Sequence, residues 1–133
     1  MPNDKSQYKI LFLEDEPVIC RVISRSLGED GFEIDIASDG LMAKEKIESN
    51  NNYDLLVFDI RTPIISGSQL YDYIEKERPE LVSKVVFATG DSLNKNTREF
   101  LDRVKRPHLT KPYSPTQLKS LILRTISENH SSA

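Results

Sequence analysis

Chemically reactive side chains follow short apolar runs at four places in this sequence. They are three carboxylates, one hydroxyl and one ammonium: Glu14, Asp15, Asp59, Thr89 and Lys111. Carboxylates held close together repel each other, and a hard dication such as Mg²⁺ relieves that repulsion by taking oxygen ligands. The residue types therefore predict a Mg²⁺ site to which Glu14, Asp15 and Asp59 contribute.

The same set of residues suits phosphoryl transfer. An ionised Asp59 can attack a phosphorus atom and form an acyl phosphate. Charge on the transferred group spreads over its oxygens, so catalysis is mainly positioning and neutralisation. Mg²⁺, the Lys111 ammonium and the Thr89 hydroxyl would each neutralise one oxygen. The acidic run Glu14–Glu16 could alternatively be an N-cap favoured by a helix dipole, but its combination with Asp59 and Lys111 favours a site.

Five apolar runs predict the strands that would bring these residues together. The third and fourth runs are continuously apolar, which is typical of strands covered on both faces of a parallel sheet. The predicted strands are Tyr8–Leu13, Phe32–Ala37, Leu55–Phe58, Lys84–Ala88 and His108–Thr110.

In the segments between the predicted strands, apolar residues recur at the spacing of an α-helix. The first helix is expected to begin at Pro17 and to end at Gly28 and Gly31. A later helix is stopped by Pro79. The last helix is the clearest, because the run from Ser114 to Gln117 offers an N-cap, a proline at the first helical position and a capping-box glutamine.

The element order is (βα)₅, which predicts an α/β fold. Such a chain forms a parallel sheet with right-handed crossovers and helices on both faces. The functional crevice of these sheets lies at the carboxyl ends of the strands. The reactive side chains occur at those strand ends, so we expect them to converge on one edge of the sheet.

The composition is that of one soluble globular domain, with 133 residues, 38% hydrophobic and 29% charged. We expect the domain to span residues 8–127, between flexible ends at 1–7 and 128–133. A net charge of −3 argues against nucleic-acid binding. No apolar run reaches membrane-spanning length, and the single cysteine, Cys20, fits the reducing cytoplasm.

Five motifs occur in order along the chain, at Leu13–Pro17, Leu56–Pro63, Ser66-Gly67, Ala88–Gly90 and Thr110–Pro112. This ordered set makes the chain resemble the response-regulator receiver domain of two-component signalling. The resemblance runs from about Tyr8 to Ile126, nearly the whole chain. Each motif is weak alone, whereas the ordered set is specific. The family fold is a flavodoxin-like doubly wound sheet with strand order 2-1-3-4-5.

The resemblance also implies a role for each site residue. Asp59 would be the phosphoacceptor, Thr89 the phosphate-sensing hydroxyl and Lys111 the phosphate-pairing lysine. The protein ligands of Mg²⁺ would be Glu14, Asp15, Asp59 and the main-chain carbonyl of Arg61. The implied donor is a sensor histidine kinase or a histidine phosphotransfer protein. We expect a monomer or weak dimer that phosphorylates and dephosphorylates itself on Asp59, without a separate substrate, and signals through a surface switch.

Three positions depart from the usual pattern of the family. Glu14 replaces the first of two aspartates, and Thr62 replaces a methionine. His108 stands where many members have an aromatic switch residue on the fifth strand. We expect His108 to be a partly buried strand residue and not a metal ligand. The stretch Thr97–Leu101 resembles receiver modules attached to hybrid sensor kinases.

Two alternative functions fit the same fold class. A flavodoxin-like nucleotide or flavin binder should have a glycine- or hydroxyl-rich loop after the first strand, where this chain has three acids that would repel a phosphate. A degenerate receiver would only dock partners, and the complete set of acids, threonine and lysine argues against it.

Two local arrangements are also predicted. The Lys111-Pro112 bond is expected to be cis, because the resemblance places a tight turn there and X–Pro bonds have only a weak trans preference. Arg61 and Asp91 carry opposite charges two residues after Asp59 and Thr89. They either form an ion pair across the mouth of the site or both point into solvent.

Overall fold

The computed structural model describes residues 7–49 and 52–131. Five strands alternate with five helices along these residues, and a 3₁₀ helix at Pro79–Lys84 precedes the fourth strand. None of the described helices is both long and apolar enough to cross a bilayer. The elements are β1 Lys9–Leu13, α1 Pro17–Glu29, β2 Glu33–Ala37, α2 Gly40–Ser49, β3 Leu55–Asp59, α3 Gly67–Glu77, β4 Val85–Thr89, α4 Lys95–Val104, β5 His108–Thr110 and α5 Pro115–Ser131.

The five strands form one parallel sheet in the order β2-β1-β3-β4-β5. This topology confirms the predicted (βα)₅ flavodoxin-like fold. The strand register pairs Leu13 with Phe58, Asp59 with Ala88 and Thr89 with Thr110. The carboxyl ends of β1, β3, β4 and β5 therefore meet along one edge of the sheet.

Apolar side chains cover both faces of the sheet. Phe58 and Phe87 point into a cluster completed by α2, α3 and α4. Val57 and Val86 point the other way, into a cluster completed by α1 and α5. Every residue of β3 and β4 is buried, which confirms the interpretation of their continuous apolar runs.

Two capping boxes fix the starts of α3 and α5. At α5, the Ser114 hydroxyl accepts a hydrogen bond from the backbone N–H of Gln117 at 3.1 Å, and the Gln117 side chain accepts one from the Ser114 N–H at 2.8 Å. This confirms the predicted cap. Ser66 and Gln69 form the same arrangement at α3, in the loop that follows β3.

Several element boundaries differ from the predicted ones. Lys84 belongs to the 3₁₀ helix rather than to β4, and its ammonium donates a hydrogen bond to the Tyr53 carbonyl at 3.0 Å. The first helix continues past Gly28 to Glu29, and the chain turns at Gly31 with φ of 93°, a conformation that favours glycine.

The ends of the chain were predicted to be flexible. Helix α5 extends to Ser131, so residues 128–131 are helical. Residues 1–6 and 132–133 lie outside the described part of the chain.

Candidate functional site

Asp59 is the last residue of β3 and is only 6% exposed. Its Oδ2 atom accepts a hydrogen bond from the Lys111 ammonium at 2.8 Å. Its Oδ1 atom accepts one from the backbone N–H of Arg61 at 3.2 Å. Because the strand before it is buried on both faces, the carboxylate is held in a fixed position at the edge of the sheet.

Glu14 and Asp15 directly follow β1 at the same edge. Glu14 is fully buried and Asp15 is exposed. Carboxylate oxygens of Glu14, Asp15 and Asp59 lie within 4.8 Å of one another. Three hard oxygen ligands this close fit a cation such as Mg²⁺.

Lys111 contacts three carboxylates at once. Its Nζ atom lies 2.8 Å from Asp59 Oδ2, 2.9 Å from Glu14 Oε1 and 3.4 Å from Glu16 Oε2. The contact with Glu16 was not predicted, since only the fold shows that the side chain turns toward β5. The Lys111-Pro112 peptide bond is cis, as predicted.

Burial and the Lys111 ammonium shift the pKa values of the site carboxylates in opposite directions. Burial raises the pKa of Asp59 and of Glu14 above their usual values, although the Lys111 ammonium partly counteracts it. Burial alone would lower the pKa of Lys111, but the hydrogen bonds to Asp59 and Glu14 outweigh it and raise that pKa. The lysine is therefore a permanent cation facing crowded acids, and a dication would stabilise their ionised forms.

Thr89 ends β4 and is 1% exposed. Its hydroxyl accepts a hydrogen bond from the backbone N–H of Asp91 at 3.0 Å. Its carbonyl accepts one from the backbone N–H of Lys111 at 2.7 Å. Thr89 thus connects the loop before α4 with the lysine that reaches Asp59.

Arg61 and Asp91 form an ion pair across the mouth of the site. The guanidinium Nη1 lies 2.9 Å from the Asp91 carboxylate, which decides between the two predicted alternatives in favour of contact. The side chains are 62% and 38% exposed, so the pair lies at the surface. That the Arg61 carbonyl binds metal stays a prediction.

Gly67 permits α3 to begin directly against the end of β3. A Cβ atom at this position would lie 2.0 Å from the carbonyl oxygen of Asp59. The Gly67 N–H donates a hydrogen bond to the Ile60 carbonyl at 2.9 Å. The sequence motif Ser66-Gly67 pointed to this place, but the close backbone approach was not inferred from it.

A groove of about 480 Å³ lies beside the site, between α1 and the segment that follows β5. Val18 and Val22 of α1 line one wall and are 61% and 48% exposed. Pro112 and Tyr113 line the other wall. Sequence reasoning missed the groove, because its walls come from opposite ends of the chain.

His108 lies on the edge strand β5, opposite Phe87. It is exposed, so the prediction of a partly buried side chain was wrong, because the three-residue strand turns His108 away from the core. Aromatic packing occurs instead beneath α4. The Phe87 and Phe100 rings lie 5.2 Å apart and nearly perpendicular, and Tyr71 meets Phe100 in the same way at 5.9 Å.

Comparison with known families identifies the kind of protein that this fold and site define. The family described as Response regulator receiver domain matches residues 10–123. The chain therefore belongs to the response regulator receiver domain family, a module of two-component signalling. The resemblance seen in the sequence motifs is confirmed.

Individual relatives agree with this assignment. A probable transcriptional regulator, ycf29 of Pyropia yezoensis, is 29% identical over 92% of this chain and 54% of its own length. A CheY-like receiver domain protein from Methanospirillum hungatei has a TM-score of 0.84 at 26% identity, covering 96% of this chain and all of that one (100%).

A second solved structure is response regulator TrrA from Thermotoga maritima, in complex with Mg(2+)-BeF. It is 30% identical, with a TM-score of 0.74, and covers 89% of this chain and 98% of that one. The chain spans about half the length of the ycf29 regulators that it matches, at 54% and 56%.

Proposed function

We propose that this receiver domain accepts a phosphoryl group on Asp59 in a Mg²⁺-dependent reaction. It then relays the signal through a conformational change of its surface. The observation that carries the proposal is the 2.8 Å contact of Asp59 with Lys111, beside the clustered acids Glu14 and Asp15. A nucleophilic carboxylate, a permanent cation and a set of metal ligands thus lie together, as phosphoryl transfer requires.

Glu14, Asp15, Asp59 and the main-chain carbonyl of Arg61 would hold the Mg²⁺ ion. When bound, the ion neutralises the crowded carboxylates and one oxygen of the phosphoryl group. The TrrA complex with Mg(2+)-BeF, at 30% identity, supports this assignment for the present chain.

The proposed donor is a phosphohistidine of a sensor histidine kinase or of a histidine phosphotransfer protein. One Asp59 oxygen would form a P–O bond while the P–N bond of the donor breaks. The donor histidine leaves, and an acyl phosphate remains on the receiver. Lys111 already lies within hydrogen-bond distance of Asp59 and would pair with an oxygen of the new group.

Thr89 would convert the new charge into movement. Its hydroxyl now accepts a hydrogen bond from the Asp91 N–H at 3.0 Å. Turning that hydroxyl to donate to a phosphoryl oxygen would break this bond and release the loop before α4. Strand β5 consists of His108, Leu109 and Thr110, so it has no phenylalanine, tyrosine or tryptophan side chain that could follow Thr89 inward. The changed surface would therefore be the loop and α4.

The test is phosphorylation by a small donor. Purified protein incubated with acetyl phosphate and Mg²⁺ should gain the mass of one phosphoryl group, and chelation of Mg²⁺ should prevent it. Asp59→Asn should gain none. Asp72→Asn is the matched control, because Asp72 lies exposed on α3 and pairs with Arg103 at 3.6 Å. An adduct on Asp59→Asn would contradict the assignment.

A further inference from the structure

The loop that follows β3 contains a strained turn. Ile64 has a φ of 70°, and the Ile65 N–H donates a hydrogen bond to the Pro63 carbonyl at 2.8 Å. A hydrogen bond that spans two positions around a positive φ is a γ-turn of the rare, strained form. A β-branched residue is especially unfavourable at such a φ, so other contacts must hold the loop in this shape.

Thr62 supplies one of these contacts. Its hydroxyl donates a hydrogen bond to the Ile65 carbonyl at 3.1 Å, across the turn. Threonine is β-branched and has few χ1 rotamers, so fixing its side chain costs little entropy. Methionine, the usual residue of the receiver family at this position, has no hydroxyl to donate. The function proposed above gives Thr62 no role, although its side chain closes the turn.

Helix α2 contacts the same turn. The Gly40 N–H donates a hydrogen bond to the Pro63 carbonyl at 3.3 Å. A Cβ atom at Gly40 would lie 1.7 Å from the Ile65 carbonyl oxygen, so the carbonyl that accepts the Thr62 hydrogen bond lies directly against the backbone of α2. With both contacts in place, the loop has little freedom to change its shape.

The peptide unit between Arg61 and Thr62 connects this turn with the metal site. Its carbonyl belongs to Arg61 and is the proposed main-chain ligand of Mg²⁺, while its nitrogen belongs to Thr62. On one side, the backbone N–H of Arg61 donates a hydrogen bond to Asp59 Oδ1 at 3.2 Å. On the other side, the hydroxyl bond of Thr62 to Ile65 restrains the backbone that carries the nitrogen. The direction of the carbonyl therefore depends on hydrogen bonds at both ends of the peptide unit.

We propose that Thr62 is a positioning residue for the Mg²⁺ site. The hydrogen bond from its hydroxyl to the Ile65 carbonyl holds the peptide unit after Arg61 in the orientation in which the Arg61 carbonyl binds the metal. The inference rests on the proposed function for the identity of the metal and for the Arg61 ligand. It concerns the shape of the loop and the metal affinity, and not the transfer of the phosphoryl group.

The experiment removes the hydroxyl and keeps the shape of the side chain, with Thr62→Val. Mg²⁺ affinity is measured by calorimetric titration without any phosphodonor, and it should fall about three- to fivefold, as expected for loss of one neutral hydrogen bond. In the metal-free protein, the Ile65 amide should exchange with solvent faster in this variant, because the turn opens more often. Thr62→Ser keeps the hydroxyl and should retain both the affinity and the exchange rate of the unmodified protein.

Thr125→Val is the matched control. The Thr125 hydroxyl donates an equivalent hydrogen bond to the Leu121 carbonyl at 2.8 Å within α5. The substitution therefore removes the same kind of interaction outside the loop. It should leave the Mg²⁺ affinity and the exchange of the Ile65 amide unchanged, even where the melting temperature falls.

The outcomes separate this inference from the proposed function. An unchanged Mg²⁺ affinity or an unchanged exchange rate of the Ile65 amide in Thr62→Val would overturn the inference. An equal loss of affinity in Thr62→Ser or in Thr125→Val would overturn it as well, because the hydroxyl of Thr62 would then not be the cause. If the unmodified protein does not bind Mg²⁺, the proposed function itself fails.

Discussion

The Arg61 guanidinium lies 2.9 Å from the Asp91 carboxylate and joins the loops that follow β3 and β4. Each residue stands two positions after a residue of the site, Asp59 or Thr89. An exposed pair of this kind contributes only about 0–1 kcal/mol to the free energy of unfolding. Because the pair lies across the mouth of the site, we expect its effect to be on the rate at which water reaches the acyl phosphate proposed for Asp59.

We therefore predict that breaking the pair shortens the life of the acyl phosphate. Arg61→Ala and Asp91→Ala should each speed dephosphorylation several-fold, measured by intact mass after removal of the donor. The double mutant should be no faster than the faster single mutant, because both remove the same interaction. Arg103→Ala breaks the exposed ion pair between α4 and Asp72 of α3 and should have no effect. Independent, multiplying effects of the two single mutations would show that the residues do not act together.

Replacing Thr89 by alanine should separate phosphorylation from the response. Asp59 should still be phosphorylated by acetyl phosphate, but the amide resonances of the Asp91–Asn94 loop should no longer shift when it is. Thr89→Ser keeps the hydroxyl and should retain the shift. The substitution also removes the hydrogen bond from the Asp91 N–H, which should cost about 1 kcal/mol of stability. A full loop response in Thr89→Ala would exclude the hydroxyl as the sensor.

Replacing either of two glycines by alanine should change the free energy of unfolding, in opposite directions. Gly67→Ala places a methyl group 2.0 Å from the Asp59 carbonyl oxygen, so it should destabilise the fold by roughly 2 kcal/mol or more. Gly28 lies in α1, and a Cβ there would meet nothing within 4 Å. Gly28→Ala should therefore stabilise the fold by about 0.5–1 kcal/mol. Urea denaturation of both variants measures the difference, and equal effects would refute the packing argument at Gly67.

Asp35 should make stability depend on pH. Burial alone would raise its pKa, but hydrogen bonds from the Tyr53 hydroxyl and the Lys46 ammonium outweigh burial and lower it. Since the pKa is lower in the folded than in the unfolded state, the stabilisation is present above the unfolded pKa of about 3.9 and disappears as pH falls through the folded value.

Asp35→Asn should therefore lower the free energy of unfolding by about 1–2 kcal/mol at neutral pH. The gap to the unmodified protein should close once the pH falls below the lowered pKa that Asp35 has in the folded state. Urea denaturation at a series of pH values gives both quantities, and phosphorylation of Asp59 should be unaffected. A gap that persists in acid would mean that charge at Asp35 does not stabilise the fold.

Much of the site could be predicted, because each reactive residue stands where an apolar run ends. Asp59 follows four apolar residues, and a parallel sheet brings such positions to one edge. The contact of Arg61 with Asp91 could be expected from equal offsets along neighbouring strands. The positions of these residues can be predicted from the sequence, since they depend on the order of the strands and not on the details of side-chain packing.

Features formed by distant segments could not be predicted. The contact of Lys111 with Glu16, and the buried Tyr113 hydroxyl that has no hydrogen-bond partner among the described residues, depend on how the start of α1 lies beside the segment that follows β5. The exposure of His108 depends on how a three-residue edge strand is oriented. The 3₁₀ helix at Pro79–Lys84 lacks a periodic pattern long enough to recognise, and its ending moved the start of β4 to Val85.

The Phe100 ring of α4 lies nearly perpendicular to the rings of Tyr71 and Phe87, and this packing has a spectroscopic consequence. The chain contains no tryptophan, so it lacks the usual fluorescent reporter of conformation. Aromatic ring currents, however, shift the resonances of protons that lie near them, and these shifts change steeply with distance and angle. Any displacement of α4 moves Phe100 relative to Phe87, a residue of the rigid sheet. Proton chemical shifts of these three rings would therefore register the position of α4 without any added label.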